Sequence, residues 1–163
     1  MEQLRDIVGE KFLRKKQSEK DKENTKVTEE CDREEFSSCT LLAFFFSANW
    51  CPPCKSFTPI LREFYNEVNS DEKRFEVIFV SFDEAHDQFL EHYNGMPWMA
   101  LPFEDPRGKS LKEKFMITGI PSLVVVDPIT WKEVSKKGRK DVQELGQDVF
   151  DEWLKKIAPP PAE

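Results

Sequence analysis

No apolar run in the 163 residues approaches the roughly 18 that a membrane-spanning helix needs. Residues 1–13 lack the apolar core of a secretory signal. Cysteine is sparse: four in this length are too few for a disulfide framework. Positive charge is outnumbered, and a net charge of −7 argues against a general nucleic-acid binder. Ligands for a closed zinc site are also short. Such a site takes four, usually as two close pairs, yet Cys31 and Cys39 are eight apart and His86 and His92 are six apart. These absences predict a soluble, intracellular chain with no metal, cofactor, nucleic-acid or membrane partner, in a compartment that keeps thiols reduced.

What is present suffices for one core. Hydrophobic residues make up 39% of the chain, with fourteen Phe supplying much of the bulk, and the length fits a single domain over residues 1–157. Residues 158–163 form a Pro-rich tail. Residues 14–30 are polar, of mixed charge, and read as a solvated loop.

The organising stretch is Trp50-Cys51-Pro52-Pro53-Cys54-Lys55. An unbroken apolar run, residues 41–46, precedes it, and apolar residues at helical spacing follow it: Phe57, Ile60, Leu61, Phe64, Tyr65, Val68. A strand therefore runs into a Cys-x-x-Cys turn from which a helix leaves, the layout of a redox motif. The thiolate is the nucleophile of disulfide exchange. At a helix start, unpaired backbone N–H groups and the helix dipole favour an anion. Pro52 and Pro53 suit a first turn that needs no N–H. Cys51 is expected to be the exposed attacking sulfur. Cys54, one turn on, is expected to be the buried resolving one. A permanent staple is a poor alternative, since so short a loop constrains little. Pro59 is expected to kink the helix near Lys55, and Asn69-Ser70 to end it.

Residues 11–14 are expected as a first strand, and residues 28–36 as a short helix capped by Thr28. Residues 75–82 form a strand parallel to residues 41–46, both buried on two faces. Ser81-Phe82-Asp83-Glu84 reads as a capping box opening a helix with Phe82, Ala85, Phe89 and Tyr93 inward; His86 and His92 fall on its exposed side. Residues 96–103 are a proline-rich loop packed on the core. Asp105-Pro106 opens a short helix, with Leu111 and Phe115 inward, that ends at Thr118-Gly119. Pro121 leads into a strand over residues 123–126, which pairs antiparallel with residues 131–135 at the sheet edge. Residues 136–140 are a basic turn. Residues 141–157 are one closing helix, with Val142, Leu145, Val149, Phe150, Trp153, Leu154 and Ile157 on its apolar side; within it Gly146 costs about 1 kcal/mol relative to Ala. Cys31 and Cys39 read as ordinary surface or half-buried thiols.

With these motifs in place the chain resembles the thioredoxin superfamily, and within it the nucleoredoxin, nucleoredoxin-like and tryparedoxin branch. The resemblance rests on Phe46-Ser47-Ala48-Asn49-Trp50-Cys51-Pro52-Pro53-Cys54, on Phe57-Thr58-Pro59 and on Phe75-Glu76-Val77-Ile78-Phe79-Val80-Ser81. It continues through Met96-Pro97-Trp98 with Leu101-Pro102-Phe103, Gly119-Ile120-Pro121-Ser122-Leu123 and Lys137-Gly138-Arg139, and covers about residues 6–157. It implies an α/β, thioredoxin-like fold: a central mixed β-sheet flanked by helices. It also implies a cis Ile120–Pro121 peptide facing Cys51 and Cys54, with the backbone before Pro121 pairing with a substrate chain and Trp50 bordering that surface. Two departures stand out. Lys55 replaces the usual Arg of tryparedoxins, so their electron donor is not carried over. Phe45 stands where thioredoxin has a buried carboxylate, leaving proton handling to water or to another group such as Asp83 or Glu84.

The function expected is reduction of protein disulfides by the Cys51/Cys54 dithiol through a mixed disulfide. Trp50, Pro52, Pro53, Ile120 and Pro121 would shape the substrate surface. The expected partners are disulfide-containing proteins and an external thiol reductant or reductase. The protein is expected to be a monomer in the cytoplasm, with the nucleus as a second compartment; Arg14-Lys15-Lys16 offers a weak nuclear address, although so short a basic cluster is usually plain surface. The alternative of another class is a redox-responsive protein-binding module with little turnover. Peroxide consumption ranks third.

Overall fold

Apolar runs without alternation need cover on both sides, and the computed structural model, which describes residues 4–15 and 28–157, provides it. In chain order the elements are α1 (Leu4–Val8), β1 (Lys11–Lys15), β2 (Thr28–Asp32), α2 (Glu34–Ser37), β3 (Leu41–Ser47), α3 (Pro52–Val68), β4 (Phe75–Ser81), α4 (His86–Tyr93), β5 (Met99–Ala100), α5 (Pro106–Lys114), β6 (Ser122–Val126), β7 (Glu133–Ser135), α6 (Gly138–Leu145) and α7 (Asp148–Leu154). The strands form one mixed sheet in the order β2-β1-β5-β4-β3-β6-β7. At its centre β3 and β4 run parallel, Leu41 beside Phe75 through Ser47 beside Ser81. β6 joins the other side of β3 antiparallel.

Strand alternation divides the core into two layers. Leu41, Ala43, Phe45, Val77 and Phe79 point to one face, under α3, α4, α6 and α7. Leu42, Phe44, Phe46, Ile78 and Val80 point to the other, under α1, α2 and α5. The first layer is a web of rings, with Phe45 set edge-on to Phe57 (5.8 Å) and to Trp98 (5.9 Å). Pro59 removes one hydrogen bond from α3 without ending it, and the helix runs on to its cap at Asn69.

Several expectations need correction. Residues 28–32 are a strand, not part of a loop or of a Thr28-capped helix; α2 begins at Glu34. The mixed charges that read as solvated loop are matched across β1 and β2, where Arg14 pairs with Glu29 at 2.9 Å and Lys11 with Glu30 at 3.3 Å. The rest of the expected loop, residues 16–27, and the Pro-rich tail lie outside the described residues. The segment 96–103 contributes the two-residue β5. α5 stops at Lys114, ahead of Met116 with φ 54°. β7 starts at Glu133 because Trp131 has φ 63° and cannot join the ladder.

The capping box does not form either. α4 starts at His86 behind an extended Ala85 with no side-chain cap, because Ser81 and Asp83 bond each other instead. The closing helix is two helices. Gly146 takes φ 58°, which breaks the ladder and leaves Leu145 about half exposed, at 52%. The basic stretch before it is already α6, which starts at Gly138. A Cβ there would lie 2.7 Å from the Leu123 carbonyl oxygen, so a side chain would push α6 off the sheet.

Candidate active site

The buried strand β3 delivers Ser47 to the end of the sheet, and three residues later the chain turns into α3. Cys51 is the N-cap residue, extended at φ −102° and ψ 108°, and Pro52 and Pro53 occupy the first helical positions. The turn is closed by the Cys51 N–H on the Ala48 carbonyl (3.3 Å) and by the Lys55 N–H on the Cys51 carbonyl (3.1 Å). No side chain caps the helix start, so its field acts on whatever charge forms at the Cys51 sulfur.

Cys54 is fully buried. The Cys51 thiol, the Ser47 hydroxyl and the Ala48 backbone all act on its thiol. Burial, reinforced by Cys51, pushes the Cys54 thiol up to about 11; Ser47 and Ala48 pull the other way by favouring its anion. Cys51 was expected to be exposed, and that is corrected: it is 5% exposed, with Ile120 and Phe82 packed over the pair. Its thiol points at the Ile120 carbonyl oxygen, 3.9 Å away.

The Ile120–Pro121 peptide is cis, and its Ile120 carbonyl faces the Cys51 sulfur. Trp50 is 56% exposed, with its indole N–H donating to the Phe82 carbonyl at 3.2 Å. The structure thus gathers Trp50, Cys51, Cys54, Ile120 and Pro121 at one end of the sheet, with Pro52 and Pro53 exposed on the first turn of α3.

Asp83 and Glu84, suggested above for proton handling, do neither job by contact. Asp83 accepts the Asn49 N–H on one oxygen and the Ser81 hydroxyl on the other, both at 2.7 Å, and Glu84 is exposed. His92, expected on the exposed side of α4, is buried. Its ring packs 5.4 Å from that of Phe79, and its Nε2 lies 2.7 Å from the Ser47 hydroxyl oxygen. Burial holds its pKa below the ordinary histidine value; Asp83 nearby raises it and Lys55 lowers it. Ser47 and His92 are the functional candidates that sequence reasoning missed. The signal was available, because 89, 92 and 93 fall on one helical face and both neighbours of 92 on it, Phe89 and Tyr93, are aromatic.

Cys31 and Cys39 are not part of this site. Burial pushes both thiols up to about 11, and Cys39 approaches the Lys73 carbonyl at the other end of β3. Among the described residues, no three His, Cys, Asp or Glu side chains converge to hold a metal ion, and no helix is long and apolar enough to cross a membrane.

A dithiol at a helix start, faced by a cis proline on a mixed sheet, defines a class, and comparison with known proteins places the chain in it. A family profile described as Thioredoxin-like matches residues 39–129. The chain belongs to the thioredoxin-like family. Within that family it stands with the nucleoredoxins and tryparedoxins. Probable nucleoredoxin 1 of Arabidopsis thaliana is 44% identical over 119 residues, 71% of this chain and 20% of that protein. Tryparedoxin of Trypanosoma brucei brucei is 42% identical over 101 residues, 61% of this chain and 69% of its own. The crystal structure of native tryparedoxin I from Crithidia fasciculata superposes with a TM-score of 0.74 at 31% identity, over 88% of this chain and 92% of that one. The chain spans about a fifth of the length of the nucleoredoxins it matches.

Proposed function

We propose that the chain reduces protein disulfides with the Cys51/Cys54 pair, acting as one domain over residues 1–157. The Cys51 thiolate attacks one sulfur of a substrate disulfide. A Cys51–substrate bond forms, and the other substrate sulfur leaves as a thiolate. Cys54 then attacks the Cys51 sulfur. The substrate departs reduced by two electrons, and the pair is left as a disulfide. An external thiol reductant or reductase restores it. The substrate backbone lies along Ile120–Pro121, between Trp50 and the helix start with its Pro52 and Pro53. The chain works as a monomer, in the cytoplasm and the nucleus.

The observation that carries this reading is the Cys51 thiol at an uncapped helix start with the fully buried Cys54 thiol behind it. The test is insulin reduction with dithiothreitol as donor. Wild type accelerates it, and Cys51→Ser returns it to background. Equal rates for the two proteins would overturn the assignment.

One observation favours a second reading, a binding module that grips a partner when reduced and releases it when oxidised. The Cys51 sulfur is shielded while Trp50 beside it is open, a surface better suited to docking than to rapid exchange. Many equivalents reduced per molecule identify the enzyme; one equivalent and a lasting complex identify the module.

A further inference from the structure

Behind Cys54 lie polar groups to which the exchange reaction, as written above, gives no task. Ser47 ends β3 with no exposed surface. Its hydroxyl lies 2.7 Å from the Nε2 atom of His92 on one side and favours the anion of Cys54 on the other. Three side chains from three elements therefore form one line from a thiol to an imidazole. The line is set in the aromatic layer of Phe79 and Phe89, where a buried hydroxyl and imidazole are costly unless bonded.

Ser47 has a single O–H to give, so the line has a direction. Once Cys51 is tied up in the mixed disulfide, the Cys54 S–H is free to donate to the Ser47 oxygen, and the Ser47 O–H donates to Nε2 of a neutral imidazole. Shifting two protons by one place reverses every bond. Nε2–H then donates to Ser47, and Ser47 donates to the Cys54 thiolate. The effect of Ser47 on Cys54, which is to favour the anion, is that of the reversed line. Asp83, the carboxylate that acts on His92, accepts from Asn49 on one oxygen and from Ser81 on the other. The charged groups facing His92 are Asp83, from the loop after β4, and Lys55, from α3; they act in opposite directions.

We propose that Ser47 and His92 are the proton relay of the resolving step, with Ser47 touching the reacting sulfur and His92 a positioning residue that receives the proton through it. The proposal rests on the reading of Cys51 and Cys54 as an exchanging pair. In the mixed disulfide, Cys54 S–H loses its proton to Ser47 as Ser47 passes its own to His92. The Cys54 sulfur bonds to the Cys51 sulfur, and the Cys51–substrate bond breaks with its electron pair leaving on the substrate sulfur. When an external thiol later reduces the Cys51–Cys54 disulfide, the same line returns the proton to Cys54, and the cycle closes.

The test uses Ellman's reagent, which reports both steps by released thionitrobenzoate. The first equivalent marks attack by Cys51, and the second marks resolution by Cys54. In wild type the second phase should rise with pH through a midpoint below that of ordinary histidine and then level off. In Ser47→Ala and His92→Phe the second phase should slow by about 100-fold at neutral pH, the lower end of the scale of general-base catalysis. It should also lose the plateau and climb instead with the Cys54 thiolate, while the first phase is unchanged. His92→Gln keeps a hydrogen bond to Ser47 but has nothing to titrate, so it should lose the plateau while slowing less. A second phase in His92→Phe or His92→Gln with the wild-type rate and pH profile would overturn the relay. If His92→Phe slows both phases alike through damaged packing, the profile of His92→Gln decides. A wild type that releases no first equivalent would show that the exchange reading itself had failed, and the relay with it.

Discussion

The two ends of the central strands each bury a polar group, and they are built on opposite plans. At the start of β4, Glu76 is buried, accepts the Tyr65 hydroxyl at 3.1 Å and the Val77 N–H at 2.9 Å on one oxygen, and pairs with Lys73 through the other. Burial raises its pKa and Lys73 draws it back. Both carboxylate oxygens have partners within the protein, so the cluster is closed on itself. At the other end, the line His92–Ser47 leads to the sulfur of Cys54, with Cys51 beside it. In the proposed exchange that sulfur reacts. Burial alone therefore does not mark function, and a network that ends on an atom able to change its bonding does.

Substitutions can separate the two ends. Cys51→Ser should abolish insulin reduction while leaving the midpoint of urea unfolding within error; a large shift in that midpoint would mean the site end is also structural. Glu76→Ala should do the converse. It strands the Tyr65 hydroxyl and a buried N–H at a cost of about 2–3 kcal/mol in denaturant titrations, at the lower end for a broken buried pair because Lys73 can return to water. Its insulin reduction per folded molecule should match wild type.

Differential alkylation should rank the thiols. With Cys31, Cys39 and Cys54 pushed up to about 11, only about one in a thousand of each is thiolate at pH 8. Iodoacetamide should thus label Cys51 first, by mass spectrometry of the digested protein. Faster labelling of the half-buried Cys31 would mean that the helix start gives Cys51 no advantage.

The smallest effect concerns Lys15, which donates to the Asn94 carbonyl at 2.8 Å and to the Met96 carbonyl. Burial, with a smaller contribution from Arg62, pushes its ammonium down to about 8. Its unfolded value is about 10.4, so the unfolded chain holds more protons between the two. The contribution of Lys15 to stability is complete above the unfolded value and is lost as pH falls through about 8. Wild type should therefore gain stability relative to Lys15→Met as pH rises across that window, measured by paired denaturant titrations.

The central architecture was legible because it is written in runs and periods. Residues 41–46 and 75–82 have no polar alternation, and that predicts parallel neighbours covered on both faces. The helix start at Cys51 was legible because two prolines can follow each other only where no N–H is needed. Polar residues used against type were not legible. The charges of residues 28–32 form cross-strand pairs, and composition alone cannot distinguish a matched strand from a loop. His92 was placed outside for its polarity, although its spacing from Phe89 and Tyr93 put it inside. The break at Gly146 was priced as a cost within a helix, but the chain uses the glycine's left-handed freedom to turn.

The outermost strands have a consequence for the protein at high concentration. One border of the sheet is β2, with Glu29 and Glu30 already held by Arg14 and Lys11. The other is β7, three residues long beside a register shift at Val125/Val126. Neither offers a long, flat, greasy template to which a second molecule can zip. A chain with fourteen phenylalanines thereby gives a neighbouring copy little edge on which to start a fibril.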